Sequence, residues 1–224
     1  MDYAIIIQAR LNSSRLPKKV LTKINGTPLL GYLTERLLCF FDKSKILIAT
    51  SELKGDDDIV SFCKKQKINT FRGSLDDVSK RLIDAANFLK AKSFVRINAD
   101  SPLLDPLIIN KALDLYSNGE YDLVTNVFPR SYPIGQSVEI IKTKEFEKTY
   151  SLMCNDHHFE HVTSYFYENP SSFKIKNFQK NKNLSHFKFA VDTNEDFKKF
   201  HKIIAKMDKP HINYDLNDLI KLHD

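Results

Sequence analysis

The sequence predicts an α/β fold with a mainly parallel, doubly wound sheet covered by helices, and three observations carry that expectation. From Tyr3 to Asn126, short apolar runs of strand length alternate with longer stretches of helical apolar spacing. The first run, Tyr3 to Gln8, is continuously apolar up to its final Gln, as in a strand buried on both faces of a parallel sheet. The chain has 224 residues, 42% of them hydrophobic and 28% charged, which suits one sizeable core and leaves little room for two.

Thr27-Pro28 predicts the start of the first helix, with Thr as N-cap and Pro at the first helical position. Leu29, Leu30, Leu33, Leu37 and Phe41 give that helix its apolar face. Lys45 to Thr50 reads as the second strand. Asp56, Asp57 and Asp58 open the next helix at the positive end of its dipole, a structural role that leaves no reason to assign them a metal. Ile68 to Phe71 is a third strand, Asp76 to Lys90 a helix, and Ser93 to Asn98 a fourth strand. A helix from about Asp105 to Ser117 and a strand from Tyr121 to Asn126 follow.

After Pro129 the rhythm breaks. An excursion at about 131–170 holds a strand-like Ser137 to Lys142 and two short helical patterns, one rich in aromatics at Phe159, Tyr165, Phe166 and Tyr167. Such an excursion covers a site or pairs with a second subunit. Phe187 to Val191 is expected to return to the sheet as a strand, before helices at about Glu195 to Met207 and Tyr214 to Leu222. No repeats, linkers or low-complexity segments divide the chain, so residues 1–224 read as one domain.

The net charge of +6 comes from scattered lysines, with no basic helix, RNA-binding aromatic signature or zinc-finger spacing, and no nucleic-acid partner is expected. No apolar stretch approaches the roughly 20 residues that span a bilayer. The start of the sequence shows no signal peptide pattern. The three cysteines lack a CxxC pairing, and Cys39 and Cys63 fall in apolar helical patterns as small core residues of a reduced compartment. A soluble, cytoplasmic protein is the expectation.

The chemistry begins where the first strand ends. AIIIQARLNSSRLPKK delivers Arg10, Ser13, Ser14, Arg15, Lys18 and Lys19 to one edge of the sheet, with Leu16-Pro17 stiffening the run. Arg presents a planar fork of donors to phosphate oxygens and Lys a mobile point charge, so a polyphosphate suits this loop. Ligands of doubly wound sheets sit outside the carboxyl ends of the strands, where Gln8 hands over to Arg10. Asp100 and Asp192 also follow strand-like runs and would reach the same rim if those strands are neighbours. A nucleoside triphosphate is handled with Mg²⁺, which takes one or two carboxylates beside phosphate oxygens and water. Singly, Asp100-Ser-Pro also suits a turn and Asp192-Thr a helix cap. His157, Glu160 and His161 match an inverted zinc-peptidase pattern, but no third ligand follows, and His161 is better placed in a substrate cleft or subunit interface.

Six blocks occur in order: IIIQARLNSSRLPKKVLTKINGTPLL, FRGSLDDVSKRLIDAA, VRINADSPLLDP, YDLVTNVFPRSYPIGQSVEII, FEHVTSYFYENP and FAVDTNEDF. Together they resemble the cytidylyltransferases of the CMP-sugar synthetase superfamily, most of all the spore-coat polysaccharide biosynthesis branch related to CMP-Kdo and CMP-sialic acid synthetases. The resemblance implies a nucleotide-diphospho-sugar transferase (GT-A-like) fold, a three-layer α/β/α sandwich that pairs as a homodimer. It implies that Arg10, Ser13, Arg15 and Lys19 hold the triphosphate of CTP, that Gln8 and Ala9 also belong to the nucleotide site, and that Arg72 and Ser74 lie near the cytosine. Asp100 and Asp192 would bind Mg²⁺, and Arg10, Lys19 and Asp100 would act in catalysis. Arg130, Tyr132, Gln136, Glu139 and His161 would face the acceptor.

The implied reaction passes CMP from CTP to the anomeric hydroxyl of an acidic keto sugar, of the ulosonic or sialic acid type, with release of pyrophosphate for surface polysaccharide synthesis. Three alternatives stand beside it: a nucleotidyltransferase using a sugar 1-phosphate or another nucleotide, a glycosyltransferase on the same sheet, and a non-catalytic nucleotide-binding subunit. Asp100-Ser101-Pro102 stands where a glycosyltransferase usually carries D-x-D, which disfavours the second. The chain departs from the family in the loop, where Asn12 and Lys18 replace favoured glycines. Asn tolerates a left-handed backbone, whereas Lys18 must keep ordinary angles or take strain. Ile134 and Ser137 stand where relatives are often acidic, so the acceptor differs from theirs if that segment touches the sugar.

Overall fold

The computed structural model describes residues 1–13 and 15–223; Ser14, expected in the basic loop, lies outside the described residues. Among them one sheet contains β1 (Tyr3–Gln8), β2 (Ile46–Ser51), β3 (Asn69–Gly73), β4 (Ser93–Asn98), β5 (Leu123–Thr125), β6 (Glu139–Lys142) and β7 (Ile175–Asn177). The strand order is β3-β2-β1-β4-β6-β5-β7. Only β6 runs against its neighbours, β4 and β5; every other pairing is parallel. The helices are α1 (Leu29–Leu38), α2 (Asp57–Gln66), α3 (Val78–Phe88), α4 (Pro106–Ser117), α5 (Thr143–Tyr150), α6 (Asp156–Glu160), α7 (Ser164–Glu168), α8 (Asn194–Ala205) and α9 (Leu216–His223).

Side chains alternate across the pleat and divide the interior into two cores. Ile5 and Ile7 of β1, Val95 and Ile97 of β4 and Ile140 of β6 meet α1, α2, α4, α8 and α9. Ala4 and Ile6, Phe94 and Ile141 meet α3, α5 and α7 on the other face. This is the three-layer, doubly wound arrangement that the continuous apolar strands predict.

Four local details differ from expectation. Thr27–Pro28 pairs with Lys23–Ile24 in a two-stranded ribbon, and α1 starts at Leu29 with no side-chain cap. The ribbon is tied to that helix by the Tyr32 hydroxyl, which donates to the Ile24 carbonyl at 3.0 Å. Cys39 falls just past the end of α1 and is exposed, whereas Cys63 is buried as expected. The excursion forms three short helices, α5 to α7, and its aromatics fill the second core: Phe166 lies between Phe146 at 6.1 Å and Phe173 at 4.5 Å. Phe187 to Val191 runs beside Ile134 through one isolated bridge at Lys188, and the edge of the sheet beyond β5 is formed by β7 instead.

Candidate active site

The carboxyl ends of β1 and β4 open onto a cleft of about 530 Å³. Their register pairs Gln8 with Asn98, so the segments that follow leave the sheet side by side. Ala9 donates to the Ala49 carbonyl at 3.0 Å and Ala99 to the Gln8 carbonyl at 3.1 Å, carrying the sheet ladder one residue further. Beyond it the basic loop closes on itself. The Leu11 carbonyl accepts from the amides of Ser13 (2.9 Å) and Lys18 (3.0 Å), with Lys18 in the left-handed region at φ 56°, ψ 18°. One buried carboxylate ties this loop to the sheet. Asp56 accepts from the Leu11 amide at 2.7 Å through Oδ1, and from the Ser51 amide at 3.2 Å and the Ser51 hydroxyl through Oδ2.

A second chain segment brings Asp192 to the same rim. The Ile134 carbonyl accepts from the amides of Phe189 (2.7 Å) and Ala190 (3.2 Å), and the Asp100 carbonyl accepts from Val191 at 2.8 Å. Gly135 permits the approach: its φ is +93°, and a Cβ there would stand 2.4 Å from the Ala190 nitrogen. Asp196 completes a capping box at the start of α8, and its Oδ2 accepts from the Asp192 and Thr193 amides, each at 3.0 Å.

Lys19 joins the two aspartates. Its Nζ lies 2.9 Å from Asp100 Oδ2 and 2.9 Å from Asp192 Oδ1. Lys188 Nζ is 3.3 Å from Asp192 Oδ2, and Arg15 approaches Oδ1 at 3.7 Å. Burial raises the Asp192 carboxyl, but the hydrogen bond and charge of Lys19, with Lys188, outweigh it and hold the group below the usual carboxylate range. No group of three or more His, Cys, Asp or Glu forms a metal cluster among the described residues. Two carboxylates gathered by a single ammonium fit Mg²⁺, which completes its shell with phosphate and water rather than with an all-protein cage.

Arg96 lines the cleft and heads a polar row that runs away from it across the sheet, because the register sets Arg96 of β4 opposite Glu139 of β6 and Glu139 opposite Thr125 of β5. Arg96 donates through Nε to Gln8 Oε1 at 3.0 Å and through Nη1 to Glu139 Oε2. Glu139 is buried and also accepts from the hydroxyls of Thr163 (2.8 Å) and Tyr167. Burial, reinforced by the Glu139 charge, pushes the Tyr167 phenol well above its ordinary value, so it stays protonated and donates. On the α3 side stands Arg81, only 2% exposed. Burial pushes its guanidinium down to about 10, with Arg10 lowering it further against the pull of Asp56 and Asp77. Its Nη1 serves the Ser74 and Leu75 carbonyls, while its Nε has no partner.

The cleft thus gathers Gln8, Ala9, Arg10, Ser13, Arg15, Lys19, Asp100, His161 and Asp192, as the sequence suggested. It does not gather Arg72, whose guanidinium is occupied by the Ser51 carbonyl (2.9 Å), the Leu53 carbonyl (2.8 Å) and Asp57 (2.7 Å). Ser74 also lies outside the lining, its hydroxyl accepting from the Asp77 amide at the entry to α3. Tyr132 and Gln136, expected toward the acceptor, are buried. Tyr132 packs edge-on against Phe178, and Gln136 accepts from the Asp105 amide and donates to the Leu103 carbonyl, each at 2.9 Å. Gln136 therefore shapes the turn after Asp100. Glu139 bears on the cleft only through Arg96, and Arg130 is turned to the Pro133 carbonyl and Ser137. In the zinc-peptidase pattern the His157 and His161 rings are 4.6 Å apart, but Glu160 is engaged by Arg10 at 3.1 Å.

Arg81, Arg96 and Asn98 line the cleft without having been singled out, and so does Glu160, noted only in the zinc-peptidase pattern. Arg96 had a signal, since it is the one cation inside the strand run SFVRIN. Arg81 had a weaker one, a cation within the apolar stripe of Val78, Leu82 and Ala85.

A doubly wound sheet whose strand ends join a cationic loop to paired aspartates defines a nucleotidyltransferase. The chain belongs to the cytidylyltransferase family, whose model matches residues 4–222. It is 27% identical over 216 residues to the Spore coat polysaccharide biosynthesis protein SpsF of Bacillus subtilis, covering 92% of this chain and 87% of that one. A solved cytidylyltransferase from Leptospira borgpetersenii superposes with a TM-score of 0.94 at 30% identity, over 99% of this chain and 93% of the other. The fold is shared with CMP:2-keto-3-deoxy-manno-octonic acid synthetase, solved with CTP, at a TM-score of 0.71 and 16% identity over 92% and 99% of the two chains.

Proposed function

We propose that the protein transfers CMP from CTP to the hydroxyl of an acidic keto sugar and releases pyrophosphate. The observation that carries this reading is the Lys19 bridge between Asp100 and Asp192 beneath the Arg10–Arg15 loop. In-line attack at the α-phosphorus needs alignment and charge neutralisation more than covalent help from the protein. Arg10, Arg15 and Lys19 hold the β- and γ-phosphates and stabilise the leaving pyrophosphate. Asp100 and Asp192 would hold Mg²⁺, which supplies Lewis acidity at the α-phosphate and favours ionisation of the attacking hydroxyl. Arg96, fixed by Glu139 and Gln8 in the cleft lining, offers a cation for an acceptor carboxylate. The family relationship and the CTP-bound neighbour in fold support the choice of nucleotide. Pairing of two copies and a cytoplasmic location belong to the same proposal.

The test is pyrophosphate release with each of the four nucleotides against a panel of 2-keto-3-deoxy sugar acids. Turnover is expected with CTP and a sugar acid together, and a clear preference for UTP or GTP overturns the reading. In the productive pair Asp100→Asn should lower kcat on the order of 10²–10³-fold, the usual loss for one electrostatic group at a transition state. An undiminished rate removes Asp100 from the reaction.

A further inference from the structure

The Lys19 ammonium stands where an ion shared by Asp100 and Asp192 has to stand. It is 2.9 Å from one oxygen of each carboxylate, and its side chain is only 12% exposed. Mg²⁺ held by both carboxylates would compete with the ammonium for the same oxygens, and the two cations would repel. The neighbouring cations do not duplicate this contact. Lys188 reaches only Asp192, at 3.3 Å, and is held by Asp196 at 2.6 Å. Arg15 reaches only Asp192, at 3.7 Å, from a side chain that is 67% exposed. Among the described residues Lys19 alone neutralises both carboxylates at once.

We infer that Lys19 is an internal counter-cation that keeps metal off the free enzyme and gives up its place when nucleotide arrives. Two adjacent carboxylates without a cation repel each other, so the free enzyme keeps its lysine between them. A triphosphate entering beneath the Arg10–Arg15 loop offers the ammonium a new anionic partner. As Lys19 turns to the phosphates, the carboxylates are released for the ion that the nucleotide carries. Metal therefore enters with the nucleotide and not ahead of it. This rests on the nucleotide site proposed above and adds an order of assembly to it.

The test uses Mn²⁺ as the probe, titrated by electron paramagnetic resonance against the full-length protein near neutral pH, without nucleotide and then with CTP. Wild type should bind Mn²⁺ weakly alone. Lys19→Met keeps the aliphatic stem, removes the charge, and should bind Mn²⁺ alone at least about tenfold more tightly. With CTP present the order reverses, because the variant has lost a phosphate ligand. Asp192→Asn placed on the Lys19→Met background should abolish the gain, which locates the ion between the carboxylates. Should the Met variant fail to fold, Lys19→Gln, which keeps one hydrogen-bond donor, serves in its place. A charge-free variant that binds Mn²⁺ no more tightly than wild type overturns the inference. That outcome together with normal wild-type turnover of CTP leaves the proposed function standing. A gain in Mn²⁺ affinity without any response to CTP supports the counter-cation role and defeats the nucleotide assignment instead.

Discussion

Lys18 holds a left-handed backbone, φ 56° and ψ 18°, so that its amide can reach the Leu11 carbonyl and turn Lys19 into the cleft. Its side chain gives little in return: the ion pair with Asp58, at 3.5 Å, lies between groups 70% and 63% exposed, a setting in which such pairs contribute almost nothing. A left-handed backbone costs a residue with a Cβ about 1–2 kcal/mol, and glycine recovers that at the expense of roughly 0.5–1 kcal/mol of extra chain entropy. Lys18→Gly should therefore stabilise the protein by about 0.5–1 kcal/mol, seen as a higher urea midpoint at unchanged slope. A lower midpoint would mean that the lysine side chain contributes more than its geometry shows. The two loop departures differ in outcome. Among the described residues, left-handed non-glycine backbone occurs at Lys18, Asn25, Lys67 and Lys90, so Asn12 keeps ordinary angles and the strain falls on Lys18.

The segment from Phe187 to Asp192 shows what an element contributes beyond its pattern. Its apolar run reads as a strand, yet the amides of Phe189, Ala190 and Val191 are spent on the Ile134 and Asp100 carbonyls, and its task is to set Asp192 against Asp100. Gly135→Ala would press a methyl group onto the Phe189–Ala190 backbone in a conformation that L-residues avoid. We expect a loss on the order of 2–4 kcal/mol of stability, together with weaker binding of Mn²⁺-CTP by the folded fraction. Calorimetry checks the first and titration the second; intact Mn²⁺-CTP binding would show that Asp192 is placed by other contacts. Strands β1 to β4 and the helices between them were legible because burial on both faces, or along one stripe, leaves a periodic trace in the sequence. The basic loop and the two aspartates were legible because each stands at a strand end. Arg72 and Gln136 were misread because polarity in a sequence does not reveal whether a backbone partner consumes it, and Tyr132 because an aromatic does not reveal whether it packs into the core. The Arg96–Glu139 pair was hidden for another reason: it joins positions 43 residues apart through a strand register that local sequence does not encode.

At the scale of the whole molecule, the chain after α8 is fastened to α1 by two side chains that sit uneasily as cations in a buried place. Arg36 is nearly inaccessible and donates to the carbonyls of Leu104 (3.0 Å), Tyr214 (2.7 Å) and His211. Burial pushes its guanidinium down to about 10, still far above neutrality, so it remains a donor throughout the physiological range. His211 differs because the ordinary value of an imidazole lies close to that range. Its ring meets Tyr32 edge-on at 4.7 Å, Nε2 lies 2.9 Å from Glu35, and Nδ1 is buried without a partner. Protonation would add a buried donor with nothing to receive it. Burial accordingly lowers the imidazole below its ordinary value, and Arg36 adds to this against the opposing pull of Glu35. The unfolded chain protonates His211 near about 6.5, while the folded protein resists until the pH is lower. Stability should therefore be level above that pH and decline as it falls through the interval between the unfolded and folded values. A second decline should follow at lower pH, where Asp192 and Asp196, both held below the ordinary carboxylate range, lose their charge and their bonds to Lys19 and Lys188. Urea midpoints measured from about pH 8 down to about pH 3 should resolve the two stages. His211→Gln should remove the upper stage and leave the lower one. A wild-type curve that is flat between about pH 7 and pH 5 would show that the buried imidazole is not what couples this junction to acid.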